Sequence, residues 1–173
     1  MLRSTPVRLA LVFALGLCAG LAVAKGPKID ASFFRGQAPE AAAESLLRAA
    51  LSEAGDGTWE RIAVAEVYHR SGDVERAEEI LDGITKRDKS DWMRIGRLYY
   101  RGGDWEKARA AFDEVLDRAP KDEDWLAEIG MYYNLQGDRE TAETLFERSF
   151  AEDPRHLYNT LKAAGSYLGV DDR

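Results

Sequence analysis

The sequence predicts an all-α fold, a short solenoid of about eight helices set as antiparallel pairs. Three observations carry it: a Gly-Asp pair recurring at a near-constant period, a tyrosine and a small residue at fixed distances before each pair, and apolar residues at helical spacing on both sides. Of 173 residues, 45% are apolar and 32% charged, and 24 basic against 31 acidic side chains give a formal charge of −7. Those proportions exclude a disordered tail, a collagenous fibre and a polytopic membrane protein. The acidic balance argues against a general nucleic-acid binder, which needs a basic field. One cysteine, Cys18, excludes a disulfide framework or a Cys-rich zinc module.

Residues 1–24 read as a secretory signal peptide, apart from the fold. Arg3 and Arg8 precede an almost wholly apolar run over residues 9–23, which ends in the small-residue pattern Ala22, Val23, Ala24. Cleavage after Ala24 removes Cys18, two arginines and no acid, so the formal charge moves from −7 to −9. The expected location is periplasmic or otherwise secreted, where a chain without thiols has nothing to mispair. Two other readings compete with cleavage: an uncleaved anchor, for which the run is short, and a lipid on Cys18, for which Leu17 stands where a small residue is wanted. Residues 25–39 form a linker punctuated by Gly26, Pro27, Gly36 and Pro39, in which Phe33 and Phe34 either dock on the first helix or stand exposed.

The first helix, within residues 40–57, starts after Pro39 and stops before Gly55, with Ala42, Leu46 and Ala49 imitating the second helix of a missing unit. Three units follow over residues 58–88, 89–122 and 123–156. Their Gly-Asp pairs are Gly72-Asp73, Gly103-Asp104 and Gly137-Asp138, 31 and 34 residues apart. Four residues before each glycine comes Tyr68, Tyr99 or Tyr133, and three before each tyrosine comes Ala65, Gly96 or Gly130. After each pair, Ala77, Ala108 or Ala142 is followed four residues on by Leu81, Phe112 or Phe146. Glycine can end one helix in the left-handed conformation and aspartate can cap the amides that open the next. The first unit is three residues short, which places a tighter turn around residues 85–90. Residues 157–173 hold a capping helix and tail, with Ala164 and Tyr167 repeating the first-helix pattern.

The run Trp92, Ile95, Gly96, Tyr99, Ala108, Phe112 and Pro120 resembles the tetratricopeptide repeat over roughly residues 58–156. The resemblance implies a right-handed superhelical solenoid whose first helices line a concave groove that binds protein or peptide. The groove would present Trp59, Ile62, Glu66, His69 and Arg70 from the first unit, then Met93, Arg97, Tyr100 and Arg101 from the second. Ala127, Met131, Asn134 and Leu135 come from the third, and Leu161 from the capping helix. Aromatic, methionine and arginine side chains are the types enriched at interface centres. Arg70, Arg97 and Arg101 could reverse the field locally and favour an acidic or carboxylate-bearing segment, or each could pair with a neighbouring acid. The family's carboxylate clamp of Lys and Asn is not matched, since Ile62, Glu66, Arg94, Asp124 and Glu128 hold those places.

No catalytic constellation, phosphate loop or metal-ligand spacing is found, and His69 and His156 lie in different units. His69 reads as an exposed helix-end histidine. Trp92, Trp105 and Trp125 read as packing residues at unit boundaries, and Glu75, Glu78, Glu79, Glu143 and Glu147 as a solvated convex face. The function expected is a secreted or periplasmic protein-binding scaffold within an envelope assembly, with no enzymatic activity, no cofactor, no nucleic-acid partner and membrane contact only through an uncleaved signal segment. A self-associating module, including a homo-oligomer, and an accessory subunit tethering a cell-envelope or polysaccharide enzyme are the rival readings.

Overall fold

A computed structural model describes residues 26–171; residues 1–25, which include the expected signal segment and Cys18, and the last two residues lie outside the described part. Eight α-helices and no strands are present among the described residues: α1 (Pro39–Ala54), α2 (Thr58–Ser71), α3 (Val74–Asp82), α4 (Lys89–Arg101), α5 (Trp105–Arg118), α6 (Glu123–Leu135), α7 (Arg139–Glu152) and α8 (Leu157–Tyr167). Helices α2 with α3, α4 with α5, and α6 with α7 form the three hairpins. First helices also pack on one another, α2 on α4 and α6 on α8. None of these helices is long and apolar enough to cross a membrane.

The hairpin turns follow from the Gly-Asp pairs. Gly72, Gly103 and Gly137 have φ of 93°, 81° and 88°, a region that a side chain on Cβ disfavours. Asp73, Asp104 and Asp138 then accept from the amides of Arg76, Lys107 and Thr141, satisfying donors that open α3, α5 and α7. The three-residue shortfall of the first unit is taken by its second helix and not by a tighter turn. Helix α3 has 9 residues where α5 and α7 have 14, because Gly83 ends it and the chain runs extended past Ile84 to the capping box at Asp88 and Asp91.

The core is one cluster along the hairpins. Phe112 and Phe146 fill the space beside Gly96 and Gly130. An added Cβ at Gly130 would lie 2.8 Å from the Phe146 ring, and one at Gly96 would overlap the Phe112 ring. Small residues at the crossing therefore set how closely the two helices of a hairpin approach. Between α4 and α6 the backbones stay further apart, and large side chains fill the seam. Phe112 stacks on Tyr132 at 5.1 Å and 4°, and Tyr132 meets Tyr100 at 4.4 Å. Trp105 meets Tyr133 edge-on at 5.0 Å. Trp92 and Trp125 are half-buried against the core, with Arg87 over Trp92 and Lys89 over Trp125.

The repeated tyrosine has a second task, joining each unit to the second-type helix before it. Tyr68 donates to Glu44 at 3.0 Å, Tyr99 to Glu78 at 2.9 Å and Tyr167 to Glu143 at 3.1 Å. Glu78 also takes Lys107 at 2.8 Å, and Glu143 takes Arg139 at 2.7 Å. Glu78 and Glu143 are thus inter-unit struts, a correction to their reading as solvated convex residues, whereas Glu75, Glu79 and Glu147 are exposed. Burial, with Asp113 beside it, pushes the Tyr133 phenol up to about 12, and burial with the Glu78 carboxylate raises Tyr99 further. A phenol raised in the folded state contributes stability that is complete below its unfolded value near 10 and is lost as pH rises through the folded one. Denaturant melts should therefore show stability falling from about pH 10 upward. The double variant Tyr99→Phe, Tyr133→Phe should flatten that fall, and an identical slope in the variant would refute the assignment.

The terminal helices depart from the expected register. On α1 it is Leu47 and Leu51 that pack on the core, one residue on from the expected Leu46. Leu46 and Ala49 instead face the chain at residues 26–29, which runs alongside. The spacing from Glu44 to Tyr68 equals that from Glu143 to Tyr167, so Ala43 and Leu47 match Ala142 and Phe146. Within the linker, Asp30 caps a 3-10 turn at Ala31–Phe33 that leans on α1; Phe33 is half-buried and Phe34 exposed.

Candidate protein-binding groove

The first helices begin at equivalent residues, Thr58, Lys89, Glu123 and Leu157, so each position can be followed from unit to unit. One stripe runs through Ile62, Met93 and Ala127, and all three are buried. Ile62 and Met93, expected in the groove, are core residues, because consecutive first helices close over that stripe. Met131 is also buried, beneath α8 beside Tyr158, Leu161 and Lys162. His69 corrects the expectation of an exposed histidine: it is buried edge-on to Tyr99 at 5.5 Å. Its ring occupies the space left by Gly102, where any Cβ would overlap the imidazole.

The stripe that does face outward is built of cross-helix pairs. Trp59 is half-exposed, with the Arg94 guanidinium 3.7 Å above its ring, close enough for a cation–π contact. Glu66 takes Arg101 at 3.2 Å and Arg70 at 3.9 Å. Arg97 grips Glu128 in a fork, Nε to Oε1 at 2.6 Å and Nη2 to Oε2 at 2.8 Å. Lys162 approaches the same carboxylate at 3.8 Å, and the Tyr132 hydroxyl donates to it at 3.3 Å. Asn134 reaches across to the Ser166 hydroxyl at 2.9 Å; Tyr100 and Leu135 are half-buried and Leu161 is open.

These pairs decide between the two readings of the arginines. Arg97 is held by a buried carboxylate, and Arg70 and Arg101 share Glu66, so the groove floor is a neutralised ladder and not a positive field. The fork is the strong member, since planar two-point recognition of carboxylate is what guanidinium does best. Replacing Glu128 by Gln should lower stability by about 1–2 kcal/mol, discounted for the part of Arg97 that water reaches. Urea unfolding measures it, and an unchanged midpoint would show the fork to be idle.

Glu128, Lys162 and the Trp59–Arg94 stack were not singled out by residue-type reasoning. A signal for them exists, since Arg94, Glu128 and Lys162 occupy one repeat position with alternating charge. The groove holds no cluster of His, Cys, Asp and Glu able to seat a metal among the described residues.

Two family models, each described as tetratricopeptide repeat, match the chain, one over residues 36–98 and the other over residues 93–156. No curated protein and no solved structure matches it.

Proposed function

Because the chain belongs to the tetratricopeptide-repeat family, whose members are typically non-catalytic scaffolds for protein interaction, we propose that it holds a protein or peptide segment in the groove of α2, α4, α6 and α8. One observation carries this reading: the outward stripe of the first helices is already assembled as a paired surface, with Trp59 and Arg94 at one end and Glu128 with Lys162 at the other. A surface ordered before binding loses little side-chain entropy on engaging a ligand. The polar ladder offers hydrogen-bonding edges for an extended backbone, and Trp59 offers an aromatic anchor. An acidic segment would reach Arg70 and Arg101 by competing with Glu66, the more exposed of the ladder's pairings.

The proposed setting is the periplasm or another secreted compartment, within an envelope assembly, after removal of residues 1–24. The arginine-flanked apolar run and its small-residue end support it. Mass spectrometry of the protein recovered from the cell envelope should find Lys25 as the first residue; a retained Met1 would refute cleavage.

The groove itself is tested by crosslinking in an envelope extract with the wild type and with the double variant Trp59→Ala, Arg101→Ala. Both side chains are exposed, so the variant should melt as the wild type does. A partner captured by the wild type and lost by the variant supports the groove, and equal capture by both would overturn it.

A further inference from the structure

The two ends of the solenoid expose the positions that its interior buries. Leu161 is 56% exposed, whereas its equivalents Ile62, Met93 and Ala127 are 3% exposed or less. At the other end Val67 is 51% exposed, whereas its equivalents Leu98, Tyr132 and Ser166 are 5% or less. Both differences have one cause. Among the described residues no first-type helix packs on the outer side of α2, and none of either type packs on the outer side of α8. Ala63 and Val67 line an open hollow on α2, and Ala43 stays open on α1, whereas Ala50 lines the cleft against residues 26–29. On α8, Ala164 stands at the site where Gly96 and Gly130 meet a phenylalanine, and it is exposed together with Leu157 and, just past the helix, Leu168.

We propose that these ends dock on each other between copies, α8 of one molecule packing on α1 and α2 of the next. Helix α1 is a second-type helix without its first, and α8 is a first-type helix without its second, so the docked pair makes one complete unit. The occupant is indicated by the chain's own interior, where the same two surfaces already bury each other from α2 to α8. The contact is heterologous, so it propagates into a ring or an open chain and does not stop at a dimer. It goes beyond groove binding, and it covers the groove only at its ends, beside Arg70 and Leu161.

Sedimentation velocity on the full chain, across a roughly hundredfold concentration range because a single end-to-end contact is small, provides the test. The wild type should grow past dimer with concentration. Val67→Asp and Leu161→Asp, both at exposed positions, should each stay monomeric with unchanged thermal melts. Mixed one to one, the two variants should form a dimer and nothing larger, because each retains the end that the other lacks. A wild type that stays monomeric at the highest concentration, a single variant that still associates, or a mixture that stays monomeric would overturn the proposal.

Discussion

Gly96→Leu is expected to destabilise the protein by at least about 2 kcal/mol, the range of overpacked cores. The Phe112 ring already lies where a Cβ on residue 96 would sit, and Tyr132, stacked on Phe112 with centroids 5.1 Å apart, restricts its retreat. The strain must therefore pass into the α4–α5 crossing and from there to α6. Urea unfolding followed by far-UV circular dichroism measures the loss, and a midpoint equal to that of the wild type would sink the packing scheme.

Phe112→Ala should cost more, about 3–5 kcal/mol. The side chain is fully buried and packs among three residues that define the seam: Trp105 with centroids 6.3 Å apart, Tyr132 in stacking contact and Gly96 at the crossing. Its removal leaves a cavity that the backbone of α4 cannot close while Trp105 and Tyr133 hold α5 to α6. The two changes should also fail to add, since alanine at 112 vacates the space that leucine at 96 needs. Gly96→Leu with Phe112→Ala should thus be more stable than the sum of the single losses by at least about 1 kcal/mol. Simple additivity would mean that the two positions do not share a cavity.

The fold was legible because its grammar is local. Gly103 and Asp104 announce a turn from two residues, and Gly96, Ala108 and Phe112 announce a crossing from three. The site was less legible because a groove is defined by what the neighbouring unit covers. Residue type marked Met93 and Met131 as interface residues, yet the adjoining first helix or α8 closes over each. His69 illustrates the same limit, since its burial depends on Gly102, which lies 33 positions away in the next unit. The pairing of Arg97 with Glu128 spans 31 positions, a separation that becomes meaningful only when the repeat length is applied to charge as it was to tyrosine. Register on α1 was one residue off for a related reason: Ala42 and Ala43 are indistinguishable by periodicity, and only the Tyr68–Glu44 contact separates them.

The concave face can be set against the convex face in a single measurement. A photoreactive amino acid would be placed in turn at positions 59 and 101, on the outward stripe of the first helices, and at positions 75 and 147, exposed on the second helices. Irradiation of cells that produce the protein should yield an adduct with the same partner from positions 59 and 101 and none from 75 or 147. Adducts arising only from positions 75 and 147 would contradict the groove and move recognition to the convex side.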